Sequence, residues 1–234
     1  MNVDNAEVQK FEDMAAYWWD FEGPCKPLHQ LNPVRLQFIQ ERTPLHHRSI
    51  LDIGCGGGIL TEALSTFSNK VTGLDQSAGV IAAAKAHAIE SGLTQPPTYI
   101  EATAEDYAQL YPEHFDVITC MELLEHVPSP VSILKACFKL LRPGGSLFLS
   151  TLNRTPKAFL HAIIGAEYVL KMLPKGTHDY SHFIRPSELN QWAVSEQLQL
   201  QSMKGLSYNL LTRSFHLSDD VSVNYLMHFQ KDAE

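Results

Sequence analysis

ILDIGCGGG, residues 50–58, runs from an apolar strand into a turn carrying Gly54, Gly56, Gly57 and Gly58. VTGLD, residues 71–75, ends a second apolar strand on Asp75, 21 residues beyond Gly54. A strand entering a glycine-rich turn lets the backbone approach a ligand without Cβ clashes, and the helix that follows directs its unpaired N–H groups at the same point. An acid at the tip of the neighbouring strand accepts both hydroxyls of a ribose. The plainer reading is a tight strand-to-helix turn, with Asp75 capping a helix that begins near Ser77. The two features at this spacing favour a nucleotide-type ligand.

The turn departs from the dinucleotide fingerprint G-x-G-x-x-G, because Ile59 stands after the run of glycines. Asp52, two residues before the first glycine, would repel a pyrophosphate and suits a ligand bearing an ammonium or sulfonium group. S-adenosylmethionine carries a ribose, an ammonium and a sulfonium. Asp52, Gly54, Gly56 and Asp75 are therefore the first cofactor-binding candidates.

Outward from this turn, strands and helices alternate. The strand at 49–53 precedes a helix to about residue 67, and that at 70–74 precedes an alanine-rich helix over 77–91. A short strand lies near Tyr99, an apolar strand covers 115–120, a helix runs over 130–141, and the chain returns as a strand at 146–151 after Pro143-Gly144-Gly145. Strands joined by crossover helices predict a doubly wound, mostly parallel sheet covered on both faces, with its ligand at the carboxyl ends of the strands. Upstream, Phe11, Met14, Ala15 and Trp18 recur at helical spacing, predicting an amphipathic helix over 6–19, and a second helix is expected to start at Pro33. Downstream come an apolar helical stretch over 156–174, a helix over 186–195 and two strands, 198–206 and 221–229, able to pair as an antiparallel hairpin.

The 234 residues, 44% of them hydrophobic, are enough for one domain with a full core. Residues 1–45 form an expected N-terminal helical cap, and 155–178 an apolar insertion after the fifth strand. A formal charge of −8 with no Lys/Arg block argues against a nucleic-acid partner. Cys25, Cys55, Cys120 and Cys137 show no C-x-x-C spacing, which fits reduced thiols. The start, MNVDNAEVQKFED, lacks the basic residues and apolar run of a secretory signal, so a cytoplasmic location is expected.

The sheet pattern, glycine loop, Asp75 and terminal hairpin resemble the class I S-adenosylmethionine-dependent methyltransferases. Longer stretches resemble a narrower group, the bacterial ubiquinone biosynthesis O-methyltransferases: KPLHQLNPVRL (26–36), LDIGCGGGIL (51–60), CMELLEHVPSP (120–130), STLNRTPKAF (150–159), GAEYVLKMLPKGTHDYSHFIRPSEL (165–189) and VNYLMH (223–228). The resemblance spans nearly the whole chain. It implies a seven-stranded Rossmann-like sheet and methylation of ring hydroxyls at two steps of ubiquinone synthesis, on a polyprenyl catechol and on a demethylubiquinol. It also implies cofactor binding by Arg35, Gly54, Asp75 and Met121. Physically, Arg35 suits the methionyl carboxylate and Met121 a polarizable contact with adenine; the plainer alternatives are a surface ion pair and a core side chain.

Methyl transfer to a phenol of pKa ~10 requires alignment of oxygen, methyl carbon and sulfur, together with loss of the phenolic proton. MELLEHV places Glu122, Glu125 and His126 at i, i+3 and i+4, on one side of a helical turn if one forms there. His126, with Glu122 beside it, suits a general base. Alternatively Glu122, Glu125 and His126 hold Mg2+, as related eukaryotic enzymes are thought to bind a metal at the matching cluster, although Mg2+ prefers oxygen ligands. A third reading makes the acids solvent-facing and the histidine structural.

The stretch 157–175 holds Phe159, Leu160, Ile163, Ile164, Tyr168, Val169, Leu170, Met172 and Leu173, flanked by Arg154, Lys157, Lys171 and Lys175. Too interrupted to span a bilayer, it suits reversible contact with a membrane surface through 157–173, or a lid over a lipophilic tail. A ubiquinone-biosynthesis complex is a further possible partner. His161, His178 and His182 form no recognised metal-ligand spacing. Competing readings are a nicotinamide-dependent oxidoreductase, a non-catalytic lipid-binding subunit, and a methyltransferase for another lipophilic phenol or quinone.

Overall fold

In the computed structural model, residues 2–160, 179–209, 212 and 214–233 are described. Among them, eight strands form one mixed sheet in the order β3-β2-β1-β4-β5-β8-β6-β7. The parallel part comprises β1 (Ile50–Ile53), β2 (Val71–Asp75), β3 (Thr98–Glu101), β4 (Phe115–Met121) and β5 (Leu141–Leu152). β8 (Asn224–Lys231) runs antiparallel to β5 and also pairs with β6 (Leu198–Asn209). The two late strands thus pair as expected. An eighth strand, β7 (Ser214–Ser218), adds to the outer half of β6 and corrects the count of seven.

The helices are α1 (Asn5–Met14), α2 (Lys26–Gln40), α3 (Ile59–Ser65), α4 (Ala78–Glu90), α5 (Ala104–Leu110), α6 (Pro130–Leu140), the single turn α7 (Pro156–Ala158) and α8 (Pro186–Ser195). α2, α3 and α4 cover one face of the sheet, and α5, α6 and α8 the other. Side-chain alternation along the central strands explains why both faces are apolar. Leu51, Ile53, Ile118, Leu147 and Leu149 join the core under α6, while Ile50, Val117 and Phe148 join the core under α2. Cys25, Cys55, Cys120 and Cys137 are free thiols, all buried.

Three local readings are corrected. α2 starts at Lys26, not Pro33, and carries Pro33 in its interior. Proline removes one helical hydrogen bond, but Leu31, Val34, Phe38 and Ile39 are buried along one face, and their packing outweighs the loss. α1 ends at Met14 and continues as a 3₁₀ turn, Ala15–Tyr17. Pro143–Gly145 does not precede β5: the strand is already paired at Leu141, and 142–145 bulge out before pairing resumes at Ser146. α5 was not anticipated; it is short and capped by the Thr103 side chain on the Asp106 amide. Of the apolar stretch after β5, residues 161–178, with His161 and His178, lie outside the described residues. His182 is exposed.

Candidate active site

One cavity of about 840 Å3 opens at the carboxyl ends of β1, β2 and β4. Its floor is the turn after β1. Gly54, at φ +69°, and Cys55 both donate their amides to the carbonyl of Leu74, at 2.8 and 3.0 Å, which draws the turn against β2. Gly56 sits at φ +54°, a conformation that glycine adopts without steric cost. A Cβ there would lie 2.2 Å from the Trp18 ring. Asp75 accepts from the Gly56 amide and from the Ser77 amide, both at 3.0 Å, and burial raises its carboxyl pKa. These bonds hold the carboxylate at the strand tip within the cavity lining.

The N-terminal segment roofs this floor. Trp18 is buried over Gly56 and Gly57, and the Trp19 indole N–H donates to the Gly57 carbonyl at 2.8 Å. Glu12 accepts from the first turn of α4, through the Gly79 amide at 2.9 Å and the Ser77 hydroxyl, the side of a helix that favours an anion. Asn2 accepts from the Ser129 amide at 2.7 Å and donates to the Ser129 carbonyl at 2.9 Å. The amphipathic pattern around Phe11 and Trp18 signals a helix that covers something. What it covers is the glycine turn and His126.

Asp52 is buried and lines the cavity, but both its oxygens are engaged: Thr119 donates at 2.6 Å and Thr61 at 2.7 Å. Burial pushes its pKa up to about 6, against the pull of those two hydroxyls and of Arg35. Asp52 therefore ties β1 to β4 and α3. Arg35 is buried because residues 31, 34, 38 and 39 carry α2 inward on the same face. Desolvation lowers its pKa to about 10, with Asp52 and Glu125 opposing, so it stays cationic near neutrality. It pairs with Glu122, and its Nε has no hydrogen-bond partner among the described residues. Met121 ends β4, buried among Val117, Phe148 and Leu206, and also lines the cavity.

The structure does not assemble Glu122, Glu125 and His126 into one cluster. Glu122 has a left-handed backbone, φ +51°, so the chain cannot wind an α-turn from it. Only Leu124–His126 forms a turn, and it is 3₁₀. Each side chain consequently finds a different partner. Glu122 faces Arg35 and accepts from the Ser150 hydroxyl at 2.5 Å, while Glu125, buried, accepts from Thr151 at 2.8 Å. His126 Nδ1 meets Glu7 Oε2 at 2.8 Å, with Phe11 edge-on to its ring at 5.1 Å. This hydrogen bond is the main reason the Glu7 carboxyl falls to about 2; burial opposes it and Lys10 assists. Among the described residues no group of three or more His, Cys, Asp and Glu is placed to hold a metal ion. Glu7, Glu12, Ser150 and Thr151 were not anticipated. No local signal marks them, because their partners lie far away along the chain.

S-adenosylmethionine fits these residues. Arg35 offers a buried Nε donor without a hydrogen-bond partner among the described residues, and Asp75 an acceptor at the strand tip, both on the cavity lining.

Solved structures share the fold. A magnesium protoporphyrin IX methyltransferase from Synechocystis with bound SAH superposes with a TM-score of 0.71 at 16% identity, over 97% of this chain and 100% of its own. A possible histamine N-methyltransferase from Thermotoga maritima gives 0.68 at 18% identity, over 96% and 99%. The sheet has the fold of these methyltransferases, and the methyltransferase domain family matches residues 51–149.

Finer relatives narrow the class. The ubiquinone biosynthesis O-methyltransferase of Saccharophagus degradans is 53% identical over 99% of this chain and 98% of its own. That of Pseudomonas aeruginosa is 50% identical over 99% of both. The chain belongs to the ubiquinone biosynthesis O-methyltransferase family, which sets aside the oxidoreductase and lipid-carrier readings.

Proposed function

We propose that the chain transfers the methyl of S-adenosylmethionine to ring hydroxyls of lipophilic phenols, a polyprenyl catechol of the 2-polyprenyl-6-hydroxyphenol type and, at a later step, 3-demethylubiquinol. The observation that carries this reading is the continuity of one cavity from the glycine turn and Asp75, past His126, to an apolar far end. At about 840 Å3 it sits near the top of the range for ligand sites, ~300–1,000 Å3, large enough for donor and acceptor together.

S-adenosylmethionine supplies the electrophilic methyl when bound. Arg35 and Glu122, a cation and an anion side by side, would hold the carboxylate and ammonium of its methionyl end; Asp75 would take the ribose and Met121 the adenine. His126 is the proton acceptor. With Nδ1–H donated to Glu7, its lone pair is on Nε2, and the Glu7 carboxylate balances the imidazolium formed as the phenol loses its proton. Trp18 and α1 keep water from the reacting atoms.

A Mg2+-assisted route would require Glu122 to leave Arg35, Glu125 to leave Thr151 and His126 to leave Glu7. Turnover unchanged by exhaustive chelation supports the histidine route. Loss of turnover restored by Mg2+ would replace it. Peripheral membrane contact through 157–173 supplies access to a water-insoluble acceptor, supported by the apolar sequence with flanking lysines. Among the described residues no helix is long and apolar enough to cross a membrane. Liposome cosedimentation with and without 157–173 tests the contact, and equal partitioning would remove it. The central assay uses labelled S-adenosylmethionine with short-chain catechol and demethylubiquinol acceptors; methylation of neither defeats the proposal.

A further inference from the structure

The far end of the cavity is built largely by the strand pair that exceeds the expected seven. Leu206↔Leu217 and Tyr208↔Phe215 are direct cross-strand partners of β6 and β7. Because side chains alternate along a strand, these four residues share one face. Leu206, Phe215 and Leu217 pack with Leu31 and Val34 of α2, while Tyr208 and Phe215, both half-buried, meet at 4.8 Å between ring centroids. Leu206, Tyr208 and Phe215 line the same cavity as Asp75 and His126, together with Leu28, Leu31 and Leu160. Two charged side chains at this end, Lys157 and Asp220, pair with one another at 2.5 Å.

A half-open wall of aliphatic and aromatic side chains, continuous with a methyl-transfer site and with its neighbouring charges paired, suits a hydrocarbon and disfavours a polar ligand. We propose that the β6–β7 face, with Tyr208 and Phe215 at its centre, is the groove for the isoprenoid tail of the acceptor and determines how strongly the enzyme prefers tailed over tail-less phenols. The inference rests on the lipophilic-phenol reading above and adds to it the residues that read the tail. Tail methylenes leaving water against this wall each strengthen transition-state binding about fourfold. The tail thereby holds the ring hydroxyl near His126.

The test compares kcat/KM for a catechol bearing three isoprene units with that for the same catechol without a tail, in wild type, Phe215→Ser and Tyr208→Ser, with labelled S-adenosylmethionine. The ratio of tailed to tail-less kcat/KM is expected to exceed 10 in wild type and to fall about tenfold in each variant. Phe215→Trp, which keeps the wall apolar but narrows the groove, serves if the serine variants do not fold, and should lower the ratio through a raised KM for the tailed acceptor. A wild-type ratio near 1, or a ratio unchanged in all folded variants, overturns the inference while leaving the methylation reading intact. Wild-type turnover of neither acceptor removes both.

Discussion

Glu7→Gln isolates the contact on which the proposed proton transfer depends. Lowering the Glu7 carboxyl from 4.5 to about 2 corresponds to about 3 kcal/mol in favour of its ionised form in the fold. Its side chain keeps 19% of its surface in solvent, and Lys10 shares the effect, so the part due to His126 is about 1–2 kcal/mol. Glutamine preserves the shape and can still accept a hydrogen bond, but it places no charge opposite the imidazolium that forms as the phenol is deprotonated. kcat should therefore fall about tenfold with SAH affinity within twofold of wild type. His126→Ala should lose about a hundredfold or more, and the double variant should be no worse than His126→Ala, because Glu7 acts through His126. Stability gives an independent readout. A folded pKa below the unfolded value contributes stability that is present above pH 4.5 and lost as pH falls toward 2. Wild type should accordingly exceed Glu7→Gln by about 1 kcal/mol at pH 7, with the gap closing over that window. Wild-type kcat in Glu7→Gln, or additive losses in the double variant, would refute the reasoning.

Gly56→Ala should abolish measurable SAH binding and lower Tm, because the new Cβ would lie 2.2 Å from Trp18 on a backbone at φ +54°; calorimetry giving wild-type affinity would contradict the roof described for the glycine turn. Asp52 has the opposite pH sign to Glu7: its folded pKa of about 6 lies above the ordinary 3.8, so its contribution is complete below pH 3.8 and is lost as pH rises through 6. Asp52→Asn should thus gain on wild type by up to about 3 kcal/mol between pH 4 and 7 in denaturant titrations, while binding the cationic donor more weakly; a pH-independent difference would show that Asp52 is not the group responsible. Burial pushes the Cys25 thiol up to about 11 and raises Cys55, Cys120 and Cys137 as well. The native protein should consequently take up no iodoacetamide at pH 8, and labelling of any of the four without denaturant would contradict their burial.

What the sequence alone determined is whatever depends on short-range pattern. Apolar runs of strand length separated by helices dictate a two-sided sheet, since a strand buried on both faces must read as continuously apolar. The glycines after β1 and the acid ending β2 then mark the ligand edge, because a turn and a strand tip are local objects. Family-specific stretches such as 165–189 added the class of acceptor, which no periodicity contains.

Tertiary structure decided the rest. Glu7 and His126 are 119 positions apart and become partners only when α1 lies across the sheet edge. The spacing of Glu122, Glu125 and His126 promised one cluster, yet a single left-handed residue at Glu122 sent the three side chains to Arg35, Thr151 and Glu7. Pro33 read as a helix start and proved to be helix interior, since burial of one face of α2 outweighs one lost hydrogen bond. The wall formed by Tyr208 and Phe215 exists only because β7 pairs with the outer half of β6. Propensity acts over a few residues, whereas cavities, ion pairs and added strands are set by which distant segments win the competition for the same surface.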